Sequence, residues 1–406
     1  MSFKPVLPDR TLLAFIAKTA QTIHRDQVKW RRYLHQHPET ANEEFETTRF
    51  LTERVQRMGL MVRRIDMPTG VLAELRGKRP GPTVAIRSDI DALPVHEETG
   101  LPFCSKTPGR MHACGHDMHM ATVLGAAAIL TRCVDQLAGT VRFIFQPAEE
   151  RPPGGARPMI ANGALEKVEM IFGLHVDPHI PTGKIGIRDG VTMASVYDFN
   201  LTIHGRSGHA ARPHTAVDAI VVASEIVGSL QTIVSREVDP MTPVAITFGK
   251  IEGGVARNVI AQEVKLTGTA RTLSKSAQKQ LPRLIKRTVA GICRARGASY
   301  TLEPIATYPV LSNSPETNAI FNATFTGLFG RGRVGTMSAG LGGEDFACYL
   351  EHVPGAMCRL GVMNRKIGAD RPWHSPQFIA DEAALPYGSA LLAASVFTYT
   401  NSRRKR

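Results

Sequence analysis

Val141-Arg142-Phe143-Ile144-Phe145 is a short apolar run that ends at Gln146-Pro147 and is followed by two acids, Glu149 and Glu150. A run this short, rich in β-branched and aromatic residues and closed by a proline, reads as a strand. Residues 71–75 and 83–86 have the same character, and a small-residue helix at 121–130 separates 83–86 from 141–145. Strands alternating with helices predict an α/β domain around a largely parallel sheet. Val84-Ala85-Ile86 and Val141 to Phe145 are apolar enough to be its central strands, buried on both faces. Ahead of them, residues from about 10 to 59 read as helix, interrupted at His37-Pro38-Glu39.

The rhythm changes in the middle of the chain. Residues 197–204 alternate like a strand, 216–235 read as helix, 244–250 and 264–272 as strands, 276–295 as helix and 298–304 as strand. That β-α-β-β-α-β order is the pattern of a ferredoxin-like, split βαβ unit with both helices on one face of its sheet. The expected organisation is a discontinuous α/β domain, 1–193 and 305–406, carrying an inserted α+β domain at 194–304. A chain of 406 residues is long enough for about two domains.

Composition narrows the class. Apolar residues make up 43% and charged residues 21%, as in ordinary soluble proteins. No apolar run approaches the roughly 18–20 residues that cross a bilayer. The N-terminal stretch from Leu12 to Ala17 is short, preceded by Asp9 and broken by Lys18, unlike a signal peptide. The expectation is a cytoplasmic protein with no membrane partner. Six cysteines without framework spacing read as free thiols or a metal ligand. The net charge of +13 is scattered, apart from Arg63-Arg64 and the tail Arg403-Arg404-Lys405-Arg406. With no basic helix, interleaved aromatics or zinc-finger spacing, nucleic acid is not expected as a partner. A basic surface does suit small carboxylate substrates.

The densest chemical signal is Met111-His112-Ala113-Cys114-Gly115-His116-Asp117-Met118-His119. Thiolate, imidazole and carboxylate are the usual protein ligands of zinc and related metals. Cys114 and His116 can address one ion from a loop, whereas in a regular helix positions two apart diverge. A helix beginning just after them would aim its positive end at the site; the plainer alternative is a solvated loop. Glu149 and Glu150 stand at a strand end, where α/β proteins build sites. One can bind metal while the other handles protons, or both can simply favour a helix start. His175, ending Ile171-Phe172-Gly173-Leu174, and His374, in Trp373-His374-Ser375-Pro376, are each ambiguous alone. Together the four segments supply about the anchors that two first-row metal ions need.

These motifs, with His35-Gln36-His37-Pro38-Glu39, Arg87-Ser88-Asp89-Ile90-Asp91-Ala92-Leu93-Pro94, Gly208-His209-Ala210-Ala211 and Gly342-Gly343-Glu344-Asp345-Phe346, make the chain resemble one known family. It is the M20 family of metallopeptidases and amidohydrolases, and within it the hippurate hydrolase or N-acyl-amino-acid amidohydrolase branch. The likeness spans nearly the whole chain. It implies a zinc-peptidase-like α/β/α catalytic domain with an inserted lid and dimerisation domain. It also implies two divalent ions per subunit, Mn²⁺ or Zn²⁺ first and Co²⁺ or Ni²⁺ as alternatives, and a homodimer or higher homo-oligomer. Carried over residue by residue, Cys114, His116, Glu150, His175 and His374 are the metal ligands, Cys114 in the position that can bridge. Glu149 is the general base, and His209 and Asn258 meet the substrate carbonyl from the inserted domain. The implied substrate is a small N-acyl amino acid, split into a carboxylate and a free amino acid.

Departures from the family pattern fall at Arg151-Pro152-Pro153, where glycines commonly follow the two glutamates directly, at Ala261 in place of proline, and at Trp373 in place of a smaller aliphatic residue. Asp91 can orient a ligand by a hydrogen bond or close an Asx turn before Pro94. Two competing readings remain. Dipeptidases and aminopeptidases of the superfamily usually carry a His-x-Asp segment where this chain has Asp89-Ile90-Asp91. A non-catalytic binding protein would have no need of Glu149.

Overall fold

A computed structural model describes residues 3–404; Lys405 and Arg406 of the basic tail lie outside the described residues. Contacts divide the chain into two compact units, one of Met1–Gly190, Ser312–Ser338 and Cys348–Arg406, the other of Val191–Leu311 and Ala339–Ala347. The second is inserted in sequence into the first. It is wider than 194–304 and takes in 339–347, which no local sequence pattern announces. Backbone bonds tie that segment in: Ala194 N–H donates to Gly342 O and Gly340 N–H to Thr192 O, each at 3.0 Å.

In the larger unit an eight-stranded sheet runs Met61–Arg63, Val71–Arg76, Ala138–Gln146, Arg79–Asp89, Val168–Pro181, Gly355–Met363, Ile185–Ile187, Val334–Thr336. The four middle strands are mutually parallel, while Val71–Arg76 and Ile185–Ile187 join them antiparallel. The sheet is thus largely parallel at its centre and mixed at its flanks. Phe143, Ile144, Phe145, Ile171 and Phe172 are wholly buried, which is why these strands read as unbroken apolar runs rather than alternating ones. Truncating one such phenylalanine would cost about 3–5 kcal/mol.

Three helices matter to the site: α1 (Arg10–Gln36), α2 (Phe45–Arg57) and α3 (His116–Arg132). Asp9 caps α1 by accepting from Leu12 N–H at 2.8 Å. His37, the residue before Pro38, has left the helical region and ends it. Nearly every side of α3 is buried, because α1 and the last helix, Leu385–Arg404, both pack against it. Its small residues let them approach. Gln27 of α1 lies where a Cβ on Gly125 would stand, and donates to Ala121 O at 3.4 Å and Ser389 Oγ at 2.6 Å.

The inserted unit holds a four-stranded antiparallel sheet in the order Val244–Gly253, Glu263–Thr272, Ser195–His204, Ser299–Tyr308. Strands two, three, one and four of the unit thus lie side by side, the split βαβ arrangement. Phe199, Leu201 and Ile203 share a core with Val222, Ile226 and Leu230 of one helix and Leu281, Ile285 and Val289 of the other. The first helix begins at Ala219, not 216, because Asp218 Oδ1 accepts from Ile220 N–H at 2.9 Å and sets the start. Ala219–Glu237 is long and apolar enough to cross a membrane by length and composition alone. Its buried residues instead complete this core.

Candidate metal centre

Asp89, Glu149–Glu150 and His175 lie on or just beyond three neighbouring parallel strands, so the topology gathers them at one edge of the sheet. Cys114 and His116 reach the same place from the start of α3. His116 is the first helical residue and Gly115 its left-handed cap, with φ 85°. A Cβ on Gly115 would stand 2.5 Å from Val176 Cγ2, so only glycine allows the turn that points residues 114 and 116 the same way. His374 also has a positive φ, 65°, and its N–H donates to Ala113 O at 2.9 Å.

Ligand atoms of Cys114, His116 and His175 all lie within 4.8 Å of one another, and so do those of Cys114, Glu150 and His374. Cys114 belongs to both groups. Its Sγ is 3.4 Å from His175 Nε2, and Glu150 Oε1 is 3.5 Å from His374 Nε2 and 3.7 Å from His116 Nε2. Among the described residues, His116 Nε2 and Glu150 Oε1 are buried without a hydrogen-bond partner. Orphaned buried polar atoms are rare and call for an explanation. A cation at this point would satisfy both, and the donor set of thiolate, imidazole and carboxylate suits a divalent first-row ion. Glu149 stands beside them, within 4.8 Å of His116 and Glu150.

The electrostatics agree. Burial alone would lower the His116 pKa, but Asp89, Asp91 and Glu150 outweigh it and push it up to about 10. The cluster therefore favours positive charge at this ring, where a metal can take the place of a proton. Burial, then Glu150, Glu149 and Asp89, raise the Cys114 thiol well above its ordinary value, so a thiolate here needs a cation beside it. His175 is held neutral, first by burial and then by Arg359. Its Nδ1–H donates to Val176 O at 2.7 Å, leaving the Nε2 lone pair toward Cys114.

Supporting residues fall into place around these. His116 Nδ1–H donates to the carbonyl of Asp91 at 2.8 Å, and Asp91 Oδ2 accepts from Glu150 N–H at 2.9 Å. Asp91 thus orients two candidate ligands, one through its backbone and one through its carboxylate. His119 is not available as a ligand. Its Nε2 accepts from Val176 N–H at 2.9 Å, which places the proton on Nδ1, where it donates to Asp89 Oδ1 at 2.6 Å. Sequence reading could name His119 but not this saturation. It also passed over Glu44, whose carboxylate lies under the Ala148 backbone. In the inserted unit His209 and Asn258 come together: Val259 pairs with His209, and Ala210 N–H donates to Asn258 O at 3.1 Å.

Residues 85–398 match the profile of peptidase family M20/M25/M40. The chain belongs to this family. N-acetyl-L-cysteine deacetylase of Bacillus subtilis is 38% identical over 388 residues, covering 94% of this chain and 89% of the relative. Thermostable carboxypeptidase 1 of Saccharolobus solfataricus is 36% identical over 377 residues, covering 92% and 95%. The crystal structure of the Bacillus subtilis YXEP protein, described as a dinuclear metal binding peptidase from the M20 family, matches with a TM-score of 0.80 at 34% identity, covering 94% of this chain and 99% of that one. This M20 chain is accordingly a hydrolase, with the family's mixed α/β architecture.

Proposed function

We propose that the protein is a metal-dependent amidohydrolase that splits N-acyl amino acids into a carboxylate and a free amino acid. The observation that carries the reading is the pair of three-residue ligand groups sharing Cys114, with Glu149 beside them. Cys114, His116, His175, Glu150 and His374 would hold two divalent ions, Mn²⁺ or Zn²⁺ first. When bound, such ions lower the pKa of water and polarise a carbonyl. Glu149 takes the proton of the attacking water and returns it to the departing amine. His209 and Asn258 supply contacts to the substrate carbonyl.

The deacylase relative supports an acyl substrate. The carboxypeptidase relative supports a second reading, removal of an amino acid from a peptide. Both break an amide whose leaving group is an amino acid, so the side carrying the acyl group distinguishes them. All six cysteines are free thiols and five are buried, which supports a reducing, cytoplasmic setting. Val244–Gly253 is an edge strand of the inserted sheet, with Ile251 exposed, and supports a homodimer formed through this unit.

The test is hydrolysis of a panel of N-acyl amino acids and unblocked dipeptides by metal-depleted protein, before and after Mn²⁺ or Zn²⁺. Metal-restored release of amino acid from the blocked substrates is the expected result. Cleavage of the dipeptides alone would transfer the protein to the peptidase reading. Silence on both would reject the reaction class.

A further inference from the structure

Glu44 occupies the cap position of α2 but does not cap it. Glu39 does that instead, its two oxygens accepting from Glu46 N–H at 3.1 Å and Thr47 N–H at 2.8 Å. The Glu44 side chain is fully buried and turned the other way. Its Oε1 accepts from Ala148 N–H at 2.8 Å, and its Oε2 from the Thr69 hydroxyl at 2.9 Å. Ala148 has φ 54°, a left-handed conformation that costs a residue with a Cβ roughly 1–2 kcal/mol. Strain of this kind persists only where the surroundings impose it.

The surroundings are specific. Ala148 N–H is bound by the Glu44 carboxylate and Glu150 N–H by the Asp91 carboxylate. Glu149 lies between two amides, each fixed by a different buried acid. A neighbouring turn closes on the same loop: Gly70, with φ 100°, lies where a Cβ would meet Pro147 Cδ at 2.9 Å, and its N–H donates to Thr48 Oγ1 at 2.9 Å. Burial, then repulsion from Asp91, push Glu44 up to about 7, so its position is held against an electrostatic cost.

We propose that Glu44 is a positioning residue for the site: its carboxylate holds Ala148 left-handed, and that turn presents Glu149 and Glu150 to the metal centre. The inference rests on the amidohydrolase reading for the role of Glu149, and on geometry alone for the role of Glu44. No local pattern marks Glu44, because its partner is a backbone amide 104 residues away.

The experiment is Glu44→Gln, assayed on whichever amide the metal-restored wild type cleaves, with ion content measured and the visible spectrum of the Co²⁺-substituted protein recorded. The expected result is a kcat lower by roughly 10–100-fold, little change in KM, both ions retained and a shift of the Co²⁺ bands as Glu150 moves. Adding Ala148→Gly, which removes the Cβ penalty at positive φ, should recover part of the lost kcat. An unchanged kcat and spectrum, or a loss that Ala148→Gly does not relieve, overturns the proposal. Should Glu44→Gln fail to fold, Thr69→Val removes the hydroxyl on Oε2 and should lower kcat less, with ions retained; unchanged kcat there also overturns it. A wild type that binds ions but cleaves no N-acyl amino acid defeats the substrate reading only, and the Co²⁺ spectrum of Glu44→Gln still decides the proposal.

Discussion

Two buried histidines of the larger unit, His35 and His116, sit among buried carboxylates and differ in what their nitrogens face. His35 is bonded on both sides, Nδ1 to Asp117 Oδ2 at 2.8 Å and Nε2 to Glu97 Oε1 at 3.1 Å. Asp117 Oδ2 also accepts from Arg31 Nε at 2.7 Å. His116 is bonded only through Nδ1, and its Nε2 points at Glu150 Oε1 without a partner among the described residues. Both rings lie in similar burial and similar negative charge, so neither property identifies a site. Nor does an unmet valence alone, since Asp117 Oδ1 is also buried without a hydrogen-bond partner among the described residues; what differs is the donor set, because His116 shares a ligand group with Cys114 and His175, whereas Asp117 faces Arg31 and His35. Asp117 follows His116 directly, which puts the His35 cluster and the His116 cluster back to back at the start of α3. One fastens α1 to α3, and the other is the cluster we propose as the metal centre.

The largest effect that would break this contrast is at Cys114, the only donor common to both ligand groups. Cys114→Ala should release bound metal and abolish turnover with it; metal analysis that still finds both ions in the purified variant would remove Cys114 from the centre. Glu149→Gln comes next. It leaves every candidate ligand in place, so ion content should match the wild type while kcat falls by about 10²–10⁴. Near-normal turnover in that metal-loaded protein would mean that the proton passes through another group. Third is Asp117→Asn, in the His35 cluster. Removing the charge that faces both Arg31 and His35 leaves buried cations poorly paired, which costs about 3–5 kcal/mol. Denaturant unfolding should show this loss, with metal content of the folded protein unchanged. An Asp117→Asn protein of normal stability but reduced ion content would reverse the assignment of the two clusters.

The two clusters also differ in how far sequence could reveal them. Cys114, His116, Glu150 and the strands that carry them were visible because each sits in a short motif or a continuous apolar run, and such runs are what buried parallel strands require. The mixed flanks of the sheet were not visible, since pairing direction depends on partners distant in sequence. Segment 339–347 joins the inserted unit by backbone bonds, to which side-chain patterns are blind. The motif 35–39 could be seen, but not the fact that His35 completes a network with residues 97 and 117 while Glu39 frees Glu44 from capping. His119 shares a motif with His116 but has no ligand role in the sequence reading, and the amide of Val176 at its Nε2 supplies a physical reason that sequence does not show.

The smallest effect sharpens the contrast through pH. Burial alone would raise the Glu97 carboxyl; His35, the Thr99 hydroxyl and the Ser105 amide outweigh it and hold it at about 2, against an ordinary value of 4.5. A depressed carboxyl stabilises the fold above its unfolded pKa, and that contribution fades as pH falls from about 4.5 toward 2. His35 runs the other way. Burial and Arg31 lower it, Asp117 and Glu97 more than restore it, and its pKa lies above the ordinary 6.5. Its contribution is complete below 6.5 and is lost as pH rises through the folded value. The His35 cluster should therefore contribute most between about pH 4.5 and 6.5. Glu97→Gln should lower stability in that window by on the order of 1 kcal/mol once solvent screening is allowed for. Thermal unfolding of both proteins from pH 3 to 8 reads the difference directly. A gap that narrows below about pH 4.5 supports the bonded imidazolium, whereas a gap that does not change with pH would show that Glu97 acts through packing and that the charge on His35 is not what fastens α1 in place.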